Sequence, residues 1–213
     1  MQERRRFLGS VTAAAGLALV GCRHEEAEVT PGEDLMQEHG LLERILLIYD
    51  EAARRIESNE RFDLGVIARA AGIVRRFVED YHERLEEQFV FPRLRSAQRE
   101  VGLVAVLLSQ HQRGRDLTAD IVRRAAATPS PELAQVLRHF VRMYRPHAAR
   151  EDTVLFPAFR EVVGGSGYRE LGEQFEDKEH ELFGEDGFAG NVTQVAELER
   201  ALGIADLASF TPA

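Results

Sequence analysis

Four histidines and two glutamates are spaced so that their chemistry could converge. His39, His82, His111 and His147 each fall on the apolar stripe of a different long helical segment, and a stripe faces the core. Two of those segments add a carboxylate on the same face, as His82-x-x-x-Glu86 and His147-x-x-x-Glu151. Residues four apart on a helix lie one above the other, so each pair can grip one ion. Burying Glu86 and Glu151 ionised and unpartnered would be strongly unfavourable, and a cation between them removes that objection. Four imidazoles with two carboxylates exceed what one tetrahedral zinc takes. They suit two ions of octahedral leaning bridged by the carboxylates, and mixed nitrogen and oxygen ligation favours iron, with manganese the second choice.

The same segments repeat. His82-Glu83-Arg84-Leu85-Glu86-Glu87-Gln88-Phe89-Val90-Phe91-Pro92 can be laid on His147-Ala148-Ala149-Arg150-Glu151-Asp152-Thr153-Val154-Leu155-Phe156-Pro157. Both read His-x-x-x-Glu-acidic-x-x-aliphatic-Phe-Pro, and the lone histidines His39 and His111 lie 43 and 36 residues upstream. The chain thus contains two helix pairs, each with one lone histidine and one His-x-x-x-Glu, a pattern that fits a pseudo-twofold site.

The elements that must position these residues follow from periodicity. Apolar residues recur at intervals of three and four over about 33–57, 62–94, 97–127 and 131–163. Their stripes include Leu35, Leu42, Leu46 and Tyr49; Val74, Phe77, Tyr81 and Leu85; Val104, Leu107, Ile121 and Val122; and Leu133, Leu137, Phe140 and Tyr144. Thr128-Pro129-Ser130-Pro131 starts the fourth. Short connections make neighbours antiparallel, so the expected fold is all-α, an up-down-up-down four-helix bundle. After Gly164-Gly165-Ser166-Gly167 come two shorter helical stretches, about 168–183 and 188–202, too short to stand alone and expected to pack on the bundle.

On these motifs the chain resembles the hemerythrin family, and more narrowly its bacterial HHE cation-binding group, over about residues 33–163. The resemblance implies a non-haem di-iron centre bridged by two carboxylates. Members of the family bind dioxygen, sense oxygen or iron, or repair iron–sulfur clusters under nitrosative stress. Two departures set this chain apart from the oxygen carriers. Their second histidine one turn after the third-helix ligand is replaced by Arg115, and their final His-x-x-x-x-Asp reads here as His147-x-x-x-Glu151. The ligand set is then His39, His82, Glu86, His111, His147 and Glu151, closer to the iron-sensing and repair branches, with a coordination position left for water or a further carboxylate.

Other residues are weighed against plainer roles. Glu43 repeats the i+4 spacing after His39 and reads more simply as a solvated helix glutamate. Arg115 could reach a ligand carboxylate, although a surface arginine beside Gly114 is the simpler reading. Tyr49, Tyr81 and Tyr144 read as core, with Tyr144 the best placed to touch the centre. Pro146 should kink its helix and re-aim His147, while Pro92 and Pro157 mark bends or ends. His139 and His180 read as exposed, and the acidic run 173–186 as a solvated face.

Composition sets the outer limits. With 213 residues and 44% hydrophobic content the chain can bury one good core. A formal charge of −9 argues against nucleic acid and anionic lipid as partners. Residues 1–22 have the shape of an export signal: Arg4-Arg5-Arg6-Phe7-Leu8 resembles the twin-arginine signal, and Leu19-Val20-Gly21-Cys22 a lipobox. Cys22, the sole cysteine, would carry the lipid, and residues 23–32, with His24, would tether the bundle (33–163) and its C-terminal extension (164–213) to the periplasmic side of the envelope. Two function classes follow. A binding or sensing protein would take up dioxygen, nitric oxide or iron. A di-iron enzyme would reduce peroxide, dioxygen or nitric oxide, or donate iron. The chain has no cysteine pair and no flavin or haem motif to supply electrons, which favours binding and leaves turnover dependent on an external electron donor.

Overall fold

The computed structural model describes residues 29–184 and 187–212; the segment expected to be an export signal, Cys22 and His24 lie outside them. Among the described residues there are six helices, no strand, and a short 3-10 turn at Leu207–Phe210. No helix among them is long and apolar enough to cross a membrane.

Helix α1 spans Pro31–Glu57. It begins earlier than periodicity suggests because Thr30 caps it: the Glu33 backbone N–H donates to Thr30 Oγ1 at 3.4 Å, and the Thr30 N–H donates to the Glu33 carboxylate at 3.0 Å. Pro31, which has no N–H to leave unsatisfied, then fits the first turn. Helix α2 covers 65–96 with mixed geometry. Gly65–Ile73, Glu83–Leu85 and Phe91–Ser96 are α-helical, whereas Val74–His82 and Glu86–Val90 form wider π turns. Helix α3 is Val101–Ala125; the residues before it turn through left-handed Gln98 and Glu100, so it starts later than expected. Helix α4 covers 131–163, capped by Ser130 and running through Pro146, with a π segment at Glu151–Leu155. Gly164, at φ +74°, reverses the chain in a conformation costly for other residues. Helices α5 (Gly165–Phe183) and α6 (Gly187–Leu202) follow.

The first four helices form a closed ring of neighbours, α1–α2–α3–α4, with α4 against α1. Side-chain partners fix α1 and α4 as antiparallel: Arg138 near the start of α4 pairs with Asp50 and Glu57 late in α1, while His39 early in α1 meets Asp152 late in α4. Helix α6 packs on α1 and α2, and α5 on α1 and α6. Arg44 of α1 clasps Glu199 of α6 with two hydrogen bonds, at 2.9 and 2.6 Å.

One half of the bundle is mainly apolar, with Tyr49, Ala53, Ile121, Leu137 and Phe140 buried, and Tyr49 meeting Phe140 edge-on at 5.3 Å. Each large side chain buried this way stabilises the fold by about 1.5–3 kcal/mol. Val122, expected in the core, is 37% exposed, just off the packed face of α3. Pro92 and Pro157 end no helix: α2 runs on to Ser96 and α4 to Val163. Each proline stands two residues after the end of a π segment, where the ladder has just passed through longer-range hydrogen bonds and the missing N–H disturbs least.

Candidate metal centre

The other half of the bundle holds the six singled-out residues. His39, His82, Glu86, His111, His147 and Glu151 are all buried, at 0–4% exposure, although all are polar. They form two groups whose donor atoms lie within 4.8 Å of one another: His39, His82 and Glu86, and His111, His147 and Glu151. The carboxylates reach across. Glu86 Oε2 is 3.7 Å from His82 Nε2 and 3.4 Å from His111 Nε2, in the other group. Glu151 Oε2 is 3.0 Å from His147 Nε2 and 3.3 Å from His39 Nε2, again in the other group. Each glutamate therefore stands between one histidine of each set, the arrangement that bridging two ions requires.

Every histidine turns Nε2 inward and has Nδ1 engaged by an oxygen outside. His39 Nδ1 meets Asp152 Oδ1 at 2.6 Å, His82 Nδ1 meets Glu38 Oε2 at 2.5 Å, His111 Nδ1 meets Glu87 Oε1 at 3.1 Å, and His147 Nδ1 meets Gln110 Oε1 at 2.9 Å. With Nδ1 of each imidazole engaged by an oxygen on the outside, Nε2 is the atom that each histidine offers to a metal.

The partners obey the pseudo-twofold relation. Glu38 and Gln110 immediately precede the lone histidines His39 and His111, and each supports the motif histidine of its own helix pair. Glu87 and Asp152 are the acidic residues one step after each motif glutamate, and each supports the lone histidine of the opposite pair. The phenylalanine of each Phe-Pro stacks on that same histidine: Phe91 on His111 at 5.4 Å and Phe156 on His39 at 5.5 Å. The acidic and phenylalanine positions of the repeat thus brace the centre across the twofold. Asp152 also stands five residues after His147, the spacing of the oxygen carriers' final aspartate; here it holds an imidazole from outside and leaves the interior to Glu151.

Arg115 is not a surface residue. It is half-buried and pairs with Glu83 at 2.8 Å and with Glu87 at 2.7 Å. The Tyr144 hydroxyl donates to Glu83 Oε1 at 2.8 Å, and its ring meets His147 edge-on at 5.3 Å. Gly114 makes room for that hydroxyl, since a Cβ there would collide with it. The row Glu79, Glu83, Glu87 faces inward beside the row Val78, His82, Glu86, as the widened turns of α2 allow. Glu43 is 45% exposed beside Arg145 and plays no part in the centre. His139 and His180 are exposed. Among the described residues of the acidic run, Glu173, Glu176, Asp177 and Glu181 are exposed, whereas Glu179 turns toward α1.

Burial and the crowding of like charges set the electrostatics of the site. Burial and the facing Glu151 raise the pKa of Glu86. Burial works against ionised Glu151 too, but His147 and His39 outweigh it and hold its pKa low. Burial alone would lower His39 and His111, yet Asp152 and Glu151 hold His39 up at about 10, and Glu86 and Glu87 hold His111 there as well. Burial pulls His82 down to about 4 and pushes its partner Glu38 up to about 8. Both oxygens of Glu86, both of Glu151 and Nε2 of His111 are buried without a hydrogen-bond partner. Five orphaned polar atoms around one point would be costly in a structural core. Nitrogen and oxygen donors in this ratio fit a pair of first-row metal ions.

The model of the hemerythrin HHE cation-binding domain matches residues 30–159, and a second, overlapping match covers 103–203. This chain belongs to the hemerythrin HHE cation-binding domain family. The second match begins at α3, as expected where the later helix pair resembles the earlier one. In a cation-binding domain of this family the buried His and Glu groups are clusters able to hold a metal ion. Proteins of Mycobacterium bovis and of two strains of Mycobacterium tuberculosis, each described only as uncharacterized, are 45% identical over 231 aligned residues, spanning 98% of this chain and 91% of each relative. No solved structure matches.

Proposed function

We propose that this hemerythrin-type protein holds two non-haem iron ions, one on His39, His82 and Glu86 and the other on His111, His147 and Glu151, and that it binds or senses dioxygen, nitric oxide or iron at the cell envelope. The carrying observation is that both glutamates lie between histidines of the two sets with their oxygens unpartnered. A bound iron pair would supply reversible redox chemistry and open positions for a small diatomic ligand. The chain's own part is to present four Nε2 atoms in fixed orientation, to exclude water with Phe91 and Phe156, and to hold the outer hydrogen bonds. Export by the twin-arginine route, with Cys22 lipidated, would place this centre on the periplasmic side; support for it comes from residues 4–8 and 19–22 of the sequence. Manganese is the second metal that the donor set suits.

A redox enzyme or repair factor is the second reading, favoured by one observation: buried Tyr144 contacts both the ligand His147 and the proton acceptor Glu83. One experiment separates the two. The full chain is purified anaerobically, its metals are counted, and its absorption is followed on exposure to air, to nitric oxide and after their removal. About two irons per chain and a reversible spectral change support binding. Irreversible oxidation, or turnover with an added electron donor, moves the reading to the enzyme. A single zinc, or no metal, refutes both.

A further inference from the structure

A second cluster of acidic side chains lies outside the histidine centre, where the C-terminal extension meets the bundle. Asp34 and Glu38 stand one turn apart on α1, and Glu179 reaches them from α5; one oxygen of each lies within 4.8 Å of the others. Among the described residues, no Arg or Lys forms an ion pair with any of the three, although arginines pair with carboxylates throughout the rest of the surface. The cluster grades inward: Asp34 and Glu179 are half-buried, and Glu38 is 2% exposed. Glu38 uses Oε2 on His82 Nδ1, while its Oε1 is buried and meets no hydrogen-bond partner. The Tyr81 hydroxyl borders the same three groups and stands beside Glu38, whose ionised form it favours although the two do not meet in hydrogen-bond geometry. Burial, then the neighbouring Glu38, Glu179 and Glu176, push Asp34 up to about 7, as expected of carboxylates crowded without a counter-charge.

We propose that Asp34, Glu38 and Glu179 form a separate site for a hard, oxygen-preferring divalent cation. Three carboxylates with no imidazole are the donor set of calcium, magnesium or manganese rather than of zinc or copper. Opposite oxygens on a calcium ion lie about 4.6–5.2 Å apart, a span that accommodates the observed spacing. The ion gives Glu38 Oε1 the partner it lacks, and it ties α5 to α1. It also sits one carboxylate away from His82, so the accessory site and the histidine centre share Glu38. Glu179 has a second task, accepting the Phe188 backbone N–H at the start of α6, so the same residue orders the extension.

The test is equilibrium dialysis of radioactive calcium against the full chain with its histidine centre already loaded, because calcium leaves imidazoles alone. The expected result is one calcium per chain beyond the metals of the centre. Asp34→Asn and Glu179→Gln should each weaken it at least tenfold while the count of centre metals stays unchanged. Failure of the wild-type chain to take up calcium, or calcium binding equal to wild type in both variants, overturns the site. Should Glu179→Gln unfold the extension, Asp34→Asn on the other helix reads the same question alone. The calcium count stands apart from the identity of the metals in the centre, so the two readings fail separately.

Discussion

Removing the outer acceptors of the lone histidines is the sharpest perturbation of the centre, because neither Glu87 nor Asp152 is assigned to a metal. Loss of an oxygen that holds a ligand histidine costs roughly 10–100-fold in metal affinity, or about 1.4–2.8 kcal/mol. The structure places the two residues at different points in that range. Asp152 is 34% exposed and has His39 as its one partner, so in Asp152→Ala water can take over part of its task and the loss should lie near tenfold. Glu87 is 15% exposed, holds His111 at 3.1 Å and also neutralises Arg115 at 2.7 Å. Glu87→Ala leaves that guanidinium to Glu83 alone, at 2.8 Å, and removes the acceptor of a fully buried His111 that water reaches less easily, so its loss should lie toward the hundredfold end. Asp152→Asn and Glu87→Gln keep an accepting oxygen and should stay within about threefold. Anaerobic competition against a chromophoric chelator measures the affinities, with metal-induced stabilisation in thermal melts as a second readout. If both alanine variants keep wild-type affinity while the metal-free chain loses stability, these carboxylates only neutralise buried imidazolium, and the positioning argument is wrong.

Three further predictions follow from the same geometry. His39 and His111 have pKa values raised from 6.5 to about 10 in the metal-free chain, so at pH 7 both carry a proton that the metal must displace. Loading should therefore release protons and weaken as pH falls, which titration calorimetry in buffers of different ionisation enthalpy would detect. By the same sign, these pairs stabilise the metal-free chain fully below pH 6.5, and that contribution disappears as pH rises through about 10; a metal-free melting point that climbs over that interval contradicts the assignment. Glu86→Gln removes a carboxylate that stands between histidines of both groups, so it should abolish stabilisation of the chain by metal in thermal melts; unchanged metal stabilisation would exclude Glu86 from the centre. Gly114→Ala should destabilise by about 1–3 kcal/mol in urea titrations and displace the Tyr144 hydroxyl from Glu83. Gly40→Ala, on an open helix face, should instead stabilise by about 0.5–1 kcal/mol; equal effects at the two positions would refute the packing argument.

Much of this protein is legible in one dimension. Leucines and histidines recurring every three or four residues place four long helices and a shared inward face, because a helix converts sequence spacing directly into direction. His82 with Glu86, and His147 with Glu151, are visible as pairs for the same reason. The order of two lone histidines and two motifs then suffices to suggest one centre in a four-helix bundle. Even the acidic and phenylalanine positions beside each motif are visible as a repeat, though not what they do.

The tertiary structure decided which side chains stand opposite one another. Glu38 and Gln110 border apolar stripes, and a polar residue at that border reads identically whether it meets water or an imidazole Nδ1. Arg115 looks like any helix arginine until α2 brings Glu83 and Glu87 beneath it. Glu179 is lost in an acidic run until α5 folds back onto α1. The π turns of α2 and α4 shift the helical phase within the motifs themselves, and residue spacing read at 3.6 per turn has no term for that. Periodicity reports whether a face is buried. What that face meets depends on contacts between residues far apart in the chain, as between His39 and Asp152, which lie 113 residues apart and 2.6 Å from atom to atom.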